Sequence, residues 1–184
     1  MKAVLISIQP KWCELIASGK KTVEVRKTKP KIDVPFKCYI YCTKDGKNLI
    51  KGDISTTIDF VAVNGGKVIG EFVCNEISDI KCVHDYELDY LFKDEDTFNR
   101  TCLDILDLTK YLSDCGGYAW HISDLVIYDK PKELIEFYTW KKCNSCRDTG
   151  HESTACCFDI DCKVPAVISR PPQSWCYVEE RSNR

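Results

Sequence analysis

The sequence predicts an α+β fold, a small mixed β-barrel with two or three helices. It contains many apolar runs of strand length punctuated by Gly, Pro and Asn, and only two segments with helical periodicity. Strands and helices do not alternate regularly, which argues against a parallel α/β sheet. With 184 residues, 44% hydrophobic and 29% charged, the chain can build one sizeable core, so a single domain over residues 1–184 is expected.

The elements follow in order. Residues 3–9 are almost continuously apolar and read as a buried strand. Pro10 suits a first helical turn, Trp12, Leu15 and Ile16 share a helix face, and Gly19 supplies the left-handed stop. Residues 22–26 alternate strictly: Val23 and Val25 point one way, Thr22, Glu24 and Arg26 the other. That second face is either a solvated strand surface or a polar site. Strands follow at 36–42 and 58–63, then a hairpin signal at Asn64, Gly65 and Gly66, then a strand over 67–74 carrying Glu71 among apolar neighbours. The stretch to about residue 100 is acidic and reads as irregular, with at most a short helix. Thr101 is the expected cap of a helix bearing Leu103, Ile105, Leu106, Leu108 and Leu112, which ends at Gly116 and Gly117. Residues 117–128 form a long strand bent near 121–123, Lys130, Pro131 and Lys132 a turn, and residues 174–178 a closing strand. Between them, over 140–168, lies a polar, Cys-rich insertion.

Composition excludes whole classes. No apolar run approaches the roughly 18 residues of a membrane span, and the N-terminus is too weakly apolar for a secretory signal. The expected setting is therefore cytoplasmic and reducing, with the thirteen cysteines as thiols, core filler or metal ligands rather than bridges. Net charge is only −2 but is unevenly spread: residues 1–52 carry twelve Lys/Arg against four Asp/Glu, and residues 53–129 five against sixteen. A basic first third suits a polyanion such as RNA; solvated faces would account for the charges equally well.

Gly19, Lys21, Glu24 and Arg26 form a G-x-K-x-x-E-x-R motif, preceded by Ser7-Ile8-Gln9-Pro10-Lys11-Trp12. The combination resembles the ASCH domain family, whose fold is a PUA-like β-barrel. Residues 117–131 resemble a later strand of that family, and 170–180 the end of one of its branches. The resemblance implies an RNA-binding or modified-nucleoside-binding cleft where the motif residues converge. Lys21 and Arg26 would hold phosphate or a base edge, and Glu24 would orient Arg26 or accept from an exocyclic amine. Trp12 and Trp120 would stack a base if they face the cleft; as core residues they would not. Residues 170–173 would cross near the mouth, either with Arg170 reaching a phosphate or as a structural lid. One branch of the family is an acetylcytidine amidohydrolase, with a Lys at the position of Lys21, a Thr where this chain has Glu24, and a later Glu for which Glu71 is the candidate. A hydrolase, either of that type or a ribonuclease, would thus use Lys21, Glu24 and Glu71. A Lys21–Glu24 ion pair is expected to raise the lysine's pKa and blunt it as a nucleophile. A protein partner in the same cleft is the remaining alternative.

Cys143-x2-Cys146-x4-His151-x4-Cys156 has zinc-knuckle spacing, and Cys157 and Cys162 lie close by. A structural Zn²⁺ held by four of these six residues would supply what the core-poor insertion lacks for folding.

Overall fold

The computed structural model describes residues 3–44, 65–84, 88–113, 115–142 and 163–180. Among them nine strands and three helices form a mixed α+β fold dominated by sheet. The first strand, β1 (Ala3–Ile8), is buried along its whole length. Strict alternation divides it between two cores. Val4, Ile6 and Ile8 enter one with Phe36, Phe72 and Trp120, while Ala3 and Leu5 enter a second with Tyr39, Phe137 and Val178. Helix α1 (Pro10–Ala17) follows, starting at Pro10 as predicted and burying Cys13 and Ile16. It stops at Gly19, whose φ of +73° is costly for other residues.

Strands β2 (Val23–Arg26), β3 (Phe36–Cys42), β4 (Val68–His84), β5 (Leu88–Leu91), β6 (Gly117–Lys132), β7 (Phe137–Lys142), β8 (Lys163–Val167) and β9 (Trp175–Glu180) complete the sheet. Their order is β2-β6-β4-β3-β1-β9-β7-β8, with β5 added to β4. This path is open, so the expected closed barrel is corrected. The path ends at β2 and β8, which do not pair, and β1 offers β2 no edge, because β3 occupies one in parallel and β9 the other antiparallel. The seam between β1 and β2 is spanned instead by α1 and by side chains.

Register shifts along the β4–β6 ribbon curl the sheet around the first core. Gly70 lies at one of them, where a Cβ would come within 2.4 Å of the Val126 carbonyl oxygen, so only glycine fits. Several local expectations change here. β4 continues to His84 and pairs with β5, so the acidic stretch is largely strand. Asp94 caps the short α2 (Glu95–Asn99) and Asp104 caps α3 (Ile105–Leu112), each accepting a backbone N–H three residues on. Thr101 caps neither, because its hydroxyl donates to Phe98 and accepts from Leu103 N–H in the link between the helices. Residues 130–132 extend β6 instead of turning. The predicted strand over 58–63, Asn64 of the hairpin, and all six Cys/His candidates between Cys143 and Cys162 lie outside the described residues. Among the described residues, no three His, Cys, Asp or Glu side chains gather as a metal site, and no helix is long and apolar enough to cross a membrane.

Candidate functional site

The alternation in β2 divides the motif. Val23 and Val25 pack under α3 with Leu108 and Leu112, leaving Glu24 and Arg26 on the opposite face, towards the seam. Lys21 approaches from the turn after α1, where its backbone N–H donates to Leu15. The three charged side chains meet: Lys21 Nζ lies 3.3 Å from Glu24 Oε2, and Arg26 Nη2 lies 3.0 Å from Glu24 Oε1. All are buried, Lys21 to 1% exposure and the other two to 6%. Arg26 Nη2 also donates to the Ser7 carbonyl at 2.7 Å, tying β2 to β1 across the seam. Lys21 donates to the Thr101 carbonyl at 2.5 Å.

These groups form the floor of a cavity of about 690 Å³. Trp12 and Tyr111 line its wall, and exposed Lys11 and Lys110 stand at the mouth. Pro171, Pro172 and Gln173 form a strap along one side, clamped to β1 by the Ser7 hydroxyl, which donates to the Pro172 carbonyl. The sequence reading missed Lys11, Lys110, Tyr111 and Thr43. Asp107, Lys110 and Tyr111, at helical spacing on one face of α3, were the readable signal for this wall. Arg170 does not line the cavity, whereas the three residues after it do.

Two predicted site residues lie elsewhere. Trp120 is fully buried in the first core, 5.8 Å edge-on from Phe36, so it cannot stack a ligand. Glu71 lies on the other sheet face, cross-strand from Tyr39. There it binds Lys37 at 2.6 Å and accepts from the Tyr128 hydroxyl. Partial burial would raise its carboxyl, but those two hydrogen bonds prevail and hold it below the usual range. Alternation decides the Glu71 position: Phe72 faces the first core, so Glu71 must face away from it. Trp120 is the cross-strand partner of Glu24 and shares its sheet face, but its ring is covered by the first core.

The electrostatics of Lys21 reverse expectation. Burial disfavours the ammonium more than Glu24 supports it, so its pKa falls below the ordinary 10.5. The lysine binds fewer protons in the folded than in the unfolded state between its lowered pKa and 10.5, so its contribution to stability rises with pH there. Anion binding through the ammonium should fall over the same range. Buried thiols such as Cys13 and Cys38, pushed up by burial, destabilise the fold above their ordinary pKa of 9.0 and act in the opposite sense. The lysine's share is therefore read as the difference in melting temperature between wild type and Lys21→Met across the alkaline range. That difference should shift in favour of wild type as pH rises, while wild-type affinity for an anionic ligand declines; a pH-independent difference would contradict it.

Residues 6–111, from β1 through α3 and including Trp12, Lys21, Glu24 and Arg26, match the ASCH domain. The chain belongs to the ASCH domain family. Solved structures of an ASCH protein from Zymomonas mobilis share its fold. The parent structure superposes with a TM-score of 0.53 at 17% identity, over 96% of this chain and 87% of that one. A serine-to-alanine variant gives 0.54 at 17% identity over 97% and 89%, and a tyrosine-to-phenylalanine variant 0.55 at 17% identity over 98% and 93%. At that identity the likeness concerns the fold alone. No curated protein matches this ASCH chain in sequence.

Proposed function

We propose that this ASCH domain binds RNA or a modified nucleoside in the seam cavity, with Lys21, Glu24 and Arg26 at its floor. The observation that carries the reading is a compensated but net-positive cluster, buried at the base of a hollow whose mouth bears lysines and whose wall bears aromatic rings. A volume of about 690 Å³ suits one nucleotide rather than a duplex. Lys11 Nζ lies 4.0 Å over the Trp12 ring and 3.7 Å from Asp107, so a base stacking there displaces that ammonium towards the phosphates of a continuing strand, where Lys110 also stands; Tyr111 adds a second ring.

The test is fluorescence anisotropy of a short single-stranded RNA across a salt series. Neutralising two phosphates at the rim predicts a log–log salt slope of about −1.4. Lys21→Ala and Arg26→Ala should each collapse binding. Affinity unchanged in both folded variants would sink the reading.

The second reading is a hydrolase in the same cavity, a nucleoside amidohydrolase of the acetylcytidine type or a ribonuclease. The depressed pKa of Lys21 favours it, since a buried amine that loses its proton more readily is a better nucleophile or base. With Glu71 on the far face, Glu24 is the carboxylate available beside it. Turnover of acetylcytidine or of single-stranded RNA, lost in Lys21→Met, would establish this reading, and no turnover of either would remove it.

From sequence we also retain one domain with a structural Zn²⁺ in the Cys-rich insertion. Purified protein should carry about one zinc, bound by four of Cys143, Cys146, His151, Cys156, Cys157 and Cys162. Metal-free protein melting at the same temperature as zinc-loaded protein would refute it.

A further inference from the structure

The cavity lining divides by burial into two chemistries. At the mouth the polar groups are mixed: exposed Lys11, Lys110 and Gln173, and the half-buried Asp107, whose carboxylate lies 3.7 Å from Lys11. At depth the charged groups are Lys21, Glu24 and Arg26, and their hydrogen bonds can be counted. An ammonium has three N–H donors and a guanidinium five, with no acceptor on either. Lys21 directs one donor to Thr101 and one to Glu24, leaving a third. Arg26 uses Nη2 on Ser7 and Glu24, and its buried Nε has no partner among the described residues. Glu24 is the strongest acceptor at this depth, and each of its oxygens already faces a cation. An amino group brought alongside would meet ammonium or guanidinium as closely as carboxylate. Each Glu24 oxygen keeps a lone pair, but with two cations against one anion the floor is net positive and favours an acceptor at its deepest point.

The walls decide which part of a nucleotide goes deep. The Trp12 and Tyr111 rings flank the floor. They suit a flat base, whereas a hydrated phosphate suits the exposed lysines at the mouth. A base entering with its sugar outside presents its remote edge first. That edge carries an oxygen in guanine (O6) and uracil (O4), and an amino group in adenine (N6) and cytosine (N4). We propose that the floor of this cavity selects bases by that remote oxygen, accepting guanine and uracil and rejecting adenine and cytosine. The inference rests on the nucleic-acid reading above and adds the class of base to it.

The experiment compares binding of the 5′-monophosphates of guanosine, uridine, adenosine and cytidine by calorimetry. Single-stranded oligo(U), oligo(A) and oligo(C) are compared at the same salt. Guanine and uracil ligands should bind about tenfold or more tightly, the lower range of what a mispaired base edge costs. In Lys21→Gln, shown to be folded by its melt, the amide can donate to Thr101 while turning a carbonyl oxygen to the ligand. The preference should then shrink towards parity, although overall affinity also falls. Binding without base preference, a preference for adenine or cytosine, or an undiminished preference in folded Lys21→Gln would each overturn the inference while leaving the nucleic-acid reading intact. No binding of any nucleotide or RNA would remove that reading, and this inference with it.

Discussion

Glu24→Ala is expected to destabilise the protein by about 3–5 kcal/mol, the usual penalty for breaking a buried ion pair by removing one partner. The carboxylate lies between two cations that are themselves almost fully buried. Without it, Lys21 can escape part of the penalty by releasing its proton, as its lowered pKa already favours. Arg26 has no such route, because a guanidinium does not deprotonate in proteins. For a chain of this size the loss corresponds to a fall of about 6–20 °C in melting temperature. It should be smaller at alkaline pH, where Lys21 is neutral. Glu24→Gln keeps the shape and one acceptor oxygen and should lose less than the alanine variant. A loss below about 1 kcal/mol for Glu24→Ala, typical of an exposed pair, would contradict the buried arrangement.

The second large effect concerns Trp120. Trp120→Ala should cost about 3–5 kcal/mol by leaving a cavity in the first core. The ring packs on Phe36 and lies 6.0 Å from Trp175. Its indole nitrogen is buried without a hydrogen-bond partner among the described residues, so the side chain contributes bulk rather than polarity. Trp120→Phe removes that orphaned donor and keeps a ring, and should cost less than the alanine variant with RNA affinity unchanged. A Trp120→Phe protein with a normal melt but lost RNA binding would show that the ring touches ligand after all. Chemical denaturation with parallel anisotropy measurements separates the two outcomes.

Trp120 and Glu71 also show what the sequence could and could not convey. Alternation in residues 22–26 was legible because a period of two assigns faces without further information. The closing strand on β1 and the start of α1 at Pro10 were legible for similarly local reasons. Which face of β4 or β6 meets the cavity depends on sheet curvature, and that is set by register shifts between distant strands. Glu71, expected at the site from its apolar-flanked place in the hairpin, therefore lies on the opposite face with Lys37 and Tyr128. The barrel stays open for a comparable reason, since the end strands β2 and β8 do not pair and β9 covers the second edge of β1. Lys21's pKa was misjudged because sequence shows its charged neighbour but not its burial. The polar face of α3 is legible from the spacing of Asp107, Lys110 and Tyr111, but nothing local says that the segment after Thr101, some 80 residues downstream of Lys21, returns to wall the site.

The Arg26 link to Ser7 has one more consequence. A closed barrel fastens itself with backbone hydrogen bonds that every residue type can make, so its stability tolerates side-chain drift. Here, among the described residues, the side-chain fastening of β2 to β1 is the Arg26 guanidinium, which also lines the hollow beneath it. Under the proposed function, substitution at that position should lower recognition and sturdiness together. The hollow's chemistry and the fold's integrity are thus inherited as one trait.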